Sequence, residues 1–151
     1  MSSMSRLFLI AALAAVLVLP ALSGADSPKA QLSAKLKGNA EVPGPGDRNG
    51  RGEAFVNAKP AKRKICFQVS WVRIQQPNAG HIHKGGEDVA GPVKVELFAG
   101  TPPSDTVEDC IKNLKRKLVR QIARRPENFY VNVHNPEFPD GAIRGQLGPA
   151  L

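Results

Sequence analysis

The stretch Phe129 to Leu147, F-Y-V-N-V-H-N-P-E-F-P-D-G-A-I-R-G-Q-L, sets strand, turn and strand signals one after another and encloses one of the chain's three histidines. Phe129, Val131 and Val133 alternate with Tyr130, Asn132 and His134. Successive side chains of a strand point to opposite faces, so one face here is apolar while the other offers a phenol, an amide and an imidazole. Pro136, Pro139 and Gly141 break the run, and Ala142 to Leu147 resumes it with Arg144 and Gln146 opposite Ile143 and Leu147. The pattern predicts a β-hairpin whose loop is longer than a tight turn.

Similar punctuation runs outward from this hairpin through most of the sequence. Leu32, Ala34 and Leu36 alternate with Ser33, Lys35 and Lys37. After the turn-rich Pro43 to Gly52, Ala54 and Val56 face away from Phe55 in a second extended run. Ile65 to Ile74 is the longest strand candidate, with Phe67, Val69 and Trp71 on one face as core residues. Gly80 to Lys84 and the run containing Val93, Val95 and Leu97 follow. One segment has helical periodicity instead: between Lys112 and Arg125, Ile111, Leu114, Leu118 and Ile122 fall on one stripe and Lys112, Arg116, Arg120 and Arg124 on another, until Pro126 ends it. The reading is an all-β, antiparallel sandwich of about seven strands with one helical insertion near 112–125. No repeat of fixed period is present.

The first 25 residues read as a signal peptide. Arg6 precedes the apolar run Leu7 to Leu19, and Pro20, Ala21, Ser23, Gly24 and Ala25 supply a cleavage region. A helix of that run spans roughly 20 Å, short of the ~30 Å hydrocarbon core of a bilayer, so no transmembrane anchor is expected after cleavage. Residues 26–151 then form one domain, secreted or periplasmic. In an oxidising compartment Cys66 and Cys110, the only cysteines, are expected to form a disulfide; two free buried thiols are the alternative. The net charge of +8 is concentrated at Lys59 to Lys64 and at Lys112 to Arg125. A basic amphipathic helix carrying Lys112, Arg116, Arg120 and Arg124 suits an anionic surface, a lipid or an acidic polysaccharide. The other reading is a solvated face packed on a sheet. Nucleic acid is disfavoured, because the basic run lacks interleaved aromatics and the protein is exported.

Chemistry is confined to few places. His81 and His83 flank Ile82, so both imidazoles point to one face of a strand, from which two can converge on one ion; His134 is a candidate third ligand. Three neutral imidazoles suit copper or zinc, with Tyr130, Asn132 or Glu41 nearby. The alternative is that these histidines hydrogen-bond backbone or carboxylates and hold loops, with Arg144 paired to Glu41 or Glu137. Ser33 and Ser70 lie in no G-x-S-x-G elbow, and Gly85 and Gly86 form no phosphate-cradling loop. Glu87 with Asp88, and Glu108 with Asp109, read as turn acids. Nothing demands an enzyme.

Five ordered motifs carry a family resemblance: G-N-A-E-V-P at 38–43, G-R-G-E-A-F at 50–55, A-G-H-I-H-K-G at 79–85, G-P-V-K-V-E-L at 91–97, and the closing hairpin. Together they resemble a CHRD domain, the domain named for chordin and also found alone in exported microbial proteins. The resemblance implies an immunoglobulin-like, Greek-key extracellular domain of undefined molecular activity, with a cysteine pair where Cys66 and Cys110 stand. The growth-factor partner of chordin does not transfer to a single small domain. The H-x-H strand is also similar to the copper-ligand strand of Cu/Zn superoxide dismutases. Those sites use six histidines and an aspartate, more imidazoles than this chain has, so dismutase activity is not expected. Two functions follow as expectations: a non-enzymatic binding or structural module with an unknown extracellular partner, or a copper- or zinc-binding protein using His81, His83 and His134.

Overall fold

The computed structural model describes residues 29–150. The signal peptide read at residues 1–25 lies outside them. The strands are β1 (Ala30–Lys37), β2 (Arg51–Lys59), β3 (Lys64–Val72), β4 (Ala79–Lys84), β5 (Val93–Ala99), β6 (Thr106–Ile111), β7 (Phe129–His134), β8 (Ile143–Gln146) and β9 (Gly148–Pro149), with helix α1 at Arg116–Arg124. All pairings are antiparallel. The all-β reading with one helix therefore holds among the described residues.

The sandwich does not take the form of two separate sheets. The strands make one continuous sheet in the order β5-β4-β7-β8-β1-β2-β3-β6, with β9 also on β1, and this sheet is barrel-like. Trp71 of β3 and Phe98 of β5, which lie near opposite ends of that order, stack with ring centroids 5.9 Å apart across the gap. The alternation read from the sequence decides what lies inside. Leu32, Ala34 and Leu36 of β1, Ala54 and Val56 of β2, and Phe67, Val69 and Trp71 of β3 are all buried, while Phe55 is left 48% exposed. Each large apolar side chain so enclosed contributes on the order of 1.5–3 kcal/mol.

Two segments differ from the sequence reading. Glu108, Asp109 and Cys110 belong to β6, an edge strand paired only with β3. Three of its six side chains are exposed and the others, among them Val107 and Ile111, only partly buried, so it has no fully buried apolar row to signal it. The helix begins at Arg116, four residues later than expected. Ile111 is still strand, Asn113 takes a left-handed turn at φ 59°, and Lys115 is extended. Lys112 is consequently not part of the helical stripe. Val119 and Ile122 are the fully buried helix residues, flanked by partly buried Leu118 and Ala123. Among the described residues no helix is long and apolar enough to cross a membrane.

Cys66 and Cys110 face each other across β3 and β6 and are disulfide-bonded. The bond fits an oxidising compartment. It ties the edge strand to the sheet and closes a segment of 44 residues in sequence separation, worth about 4 kcal/mol by loop-closure entropy. The double variant Cys66→Ser/Cys110→Ser is expected to lose about that much stability in urea denaturation; a loss below ~1 kcal/mol would show that β6 is held by its ladder alone.

Candidate metal centre

Register brings the three histidines together. β4 and β7 pair so that Ala79, His81 and His83 stand opposite His134, Asn132 and Tyr130. All six share one face of the sheet, and His134 lies diagonal to His81. One nitrogen from each of His81, His83 and His134 falls within 4.8 Å of one from the others. Ring centroids are separated by 5.6 Å (His81 to His83), 5.0 Å (His81 to His134) and 6.0 Å (His83 to His134). Nitrogens sharing one ion at the usual 2.0–2.1 Å bond length stand about 3.4 Å apart, so closing the trio takes small side-chain rotations.

Two backbone carbonyls set the orientation of the rings. His83 Nδ1 lies 2.8 Å from the Gly91 carbonyl, and His134 Nδ1 lies 3.0 Å from that of Pro139. A carbonyl only accepts, so in each ring Nδ1 carries the hydrogen and Nε2 keeps a lone pair. His83 Nε2, His134 Nε2 and His81 Nδ1 are buried atoms that meet no hydrogen-bond partner among the described residues. Burial and mutual repulsion keep the trio neutral. His81 is lowered to about 4, by burial first and then by His134 and His83. Burial likewise lowers His83 and His134 against the raising effect of their carbonyl bonds, with Asp140 also raising His134. Three neutral imidazoles with ring nitrogens within 4.8 Å of one another form a nitrogen donor set suited to copper or zinc.

A second layer backs this trio. The Tyr130 ring stacks on His83 at 4.8 Å, and the Arg144 guanidinium sits 3.5 Å from the same ring's centroid. Arg144 is only 1% exposed, and its Nη2 donates to the Gly86 carbonyl at 2.6 Å. Asn132 donates to Glu41 Oε2 at 3.3 Å. Of the two acids expected beside Arg144, Glu41 interacts with it electrostatically, whereas Glu137 accepts a hydrogen bond from Gln75. The Glu41 carboxyl lies against Gly141, whose φ of 144° suits glycine and where a Cβ would strike the carboxylate. Burial raises Glu41 to about 8, against the lowering pull of Arg144 and Asn132.

The remaining site residues lie elsewhere. Arg116, Arg120 and Arg124 are exposed on α1, and Lys112 is exposed in the turn before it. The histidine trio was legible from H-x-H and the closing strand. The carbonyl partners Gly91 and Pro139 were not, because a backbone acceptor leaves no mark in a sequence.

The CHRD domain model matches residues 32–147, which take in every element of this site. The chain belongs to the CHRD domain family. No curated protein and no solved structure matches the chain. Within the CHRD domain, the H-x-H strand and the closing hairpin are the two segments that register unites at the trio.

Glu41 gives this arrangement a pH signature. A folded value of about 8 against an ordinary 4.5 means that the folded state keeps a proton the unfolded chain has lost. Stability from this group is full below pH 4.5 and declines as pH rises to 8, with a limiting slope of about 1.4 kcal/mol per pH unit. Glu41→Gln is expected to abolish that decline. Urea denaturation of both proteins between pH 6.5 and 8 tests it, since the histidine contribution is common to both and cancels in their difference; parallel curves would mean that Glu41 is ionised throughout.

Proposed function

We propose that this CHRD domain protein is an exported, non-enzymatic metal-binding module that holds one copper or zinc ion on His81, His83 and His134. The observation that carries the reading is the convergence of three imidazole nitrogens within 4.8 Å, two of them turned inward by carbonyl bonds to the opposite ring nitrogen. Outer-shell bonds of this kind fix tautomer and orientation in metal sites. The rings need lose no proton at neutral pH, so binding does not compete with ionisation. Export is supported by the leader-like residues 1–25 and by the disulfide. No nucleophile and base stand together in the site. The charged groups that act on the trio are Arg144, on His83, and Asp140, on His134; Glu41 behind it is engaged with Asn132 and packed against Gly141. Binding, storage or delivery of an ion therefore fits better than turnover.

The purified protein, stripped with chelator and dialysed against copper(II) or zinc, is expected to retain about one equivalent by elemental analysis. His83→Ala and His134→Ala should each weaken affinity by more than the roughly 10- to 100-fold typical of an outer-shell change, as read by chelator competition. Wild-type uptake no tighter than that of His83→Ala would end this reading. Retention of zinc but not copper, or the reverse, identifies the ion.

A further inference from the structure

The metal reading leaves the cations unexplained, and the fold gathers them. Lys59 to Lys64 contributes four cations and Lys112 to Arg125 seven, with no acid in either segment. These segments are zipped together. Leu114 N–H donates to the Arg63 carbonyl at 3.0 Å, while Arg63 Nε and Nη2 donate to the carbonyls of Leu114 and Asn113 at 3.0 and 3.2 Å. Helix α1 packs on β2 and on the short helical turn Pro60–Lys62, closing one end of the barrel with Val119 and Ile122 turned inward. Lys62, Lys112, Lys115, Arg116, Lys117 and Arg124 are left exposed on that end. The helix has a structural role at the same time, since its apolar side is spent on the core.

That division of labour selects the partner. With Val119 and Ile122 buried, α1 has no apolar face to insert, so contact with a partner is electrostatic and peripheral. Nor do these six cations border the three surface clefts formed by residues of β1, β2, β3, β6 and β8 and the loops around Glu41 and Glu87. A strand-like polyanion is held in a groove lined by charge, whereas a cluster on a closed end meets a flat, densely anionic plane with many cations at once. Arginine forks and lysine ammonium groups both suit phosphate oxygens.

We propose that this basic pole docks the protein peripherally on an anionic phospholipid surface. The geometry gives docking a direction. α1 leads through Pro126–Asn128 into the start of β7, and His134 ends that strand, about 17 Å further along at ~3.3 Å per residue. His134 therefore lies at the end of β7 far from the pole, while His83, opposite Tyr130, lies near its start. Docking itself does not depend on the trio holding metal.

The test is co-sedimentation of the purified protein with vesicles of phosphatidylcholine containing about one third phosphatidylglycerol, against pure phosphatidylcholine. Binding is expected only to the anionic vesicles, and loss is expected near 1 M salt, where charges more than ~3 Å apart are screened. Each surface-reaching cation contributes about fivefold, so Arg116→Gln/Lys117→Gln/Arg124→Gln should bind roughly a hundredfold more weakly. An equal charge loss at the opposite end and on β5, Lys37→Gln/Arg48→Gln/Lys94→Gln, should cost only a few-fold. Thermal melting confirms that both variants fold. Equal losses in the two variants would reduce the effect to net charge and overturn the pole. Absence of binding at low salt, or binding only to a soluble sulfated polysaccharide, would overturn the lipid partner.

Discussion

The outer face of β4, β7 and β8 carries a continuous polar row that is nonetheless largely sealed from solvent, and much of the architecture around it exists to satisfy that row. Tyr130, Asn132 and Arg144 are each no more than 3% exposed. Such groups are tolerated inside a protein only when hydrogen-bonded, since an orphaned one costs roughly 1–3 kcal/mol. Two loops supply most of the partners, one through backbone and one through the Glu41 side chain. Between β4 and β5, the carbonyls of Gly85, Gly86 and Gly91 accept from Gln146, Arg144 and His83, and the Gly91 N–H donates to the Tyr130 hydroxyl. Between β1 and β2, Glu41 covers Asn132, and the Asp47 N–H donates to the Ala142 carbonyl.

The glycines of the family motifs acquire a physical reason from this arrangement. A loop that serves side chains with its own carbonyls has to approach closely. Gly91 lies so near the Lys84 carbonyl that a Cβ would collide with backbone. At Gly141 a side chain would displace the Glu41 carboxyl. Replacement at Gly91 would push its loop off Tyr130 and Arg144, and replacement at Gly141 would push Glu41 off Asn132.

Sequence reasoning reached the inner face better than the outer. Strict alternation fixes which side of β1, β2, β3 and β7 is apolar, because a one-residue slip would expose every core side chain. It is silent on what covers the opposite side, so Tyr130, Asn132 and His134 look like a solvent face in the sequence although they are mostly enclosed. β6 escaped notice because an exposed edge strand needs no apolar row. The start of α1 was misplaced because Ile111 and Leu114 happen to continue its periodicity, while the left-handed turn at Asn113 interrupts the chain between them. The CHRD motifs were legible since they are runs of contiguous residues. The single curled sheet was not, since strand order depends on pairings between distant segments.

The loop-holding and metal-holding readings of the histidines looked like alternatives in the sequence, and the structure removes the opposition. His83 holds the Gly91 loop and His134 the Pro139 loop through Nδ1. Those bonds take the proton of each neutral ring and leave the lone pair on Nε2, the buried nitrogen without a partner. An imidazole has two nitrogens, and fastening a loop with one aims the other. Where only fastening is required, a serine hydroxyl would satisfy a single carbonyl without carrying a second polar atom into the interior. Three imidazoles that each keep a buried nitrogen without a partner among the described residues are the feature on which the metal proposal rests.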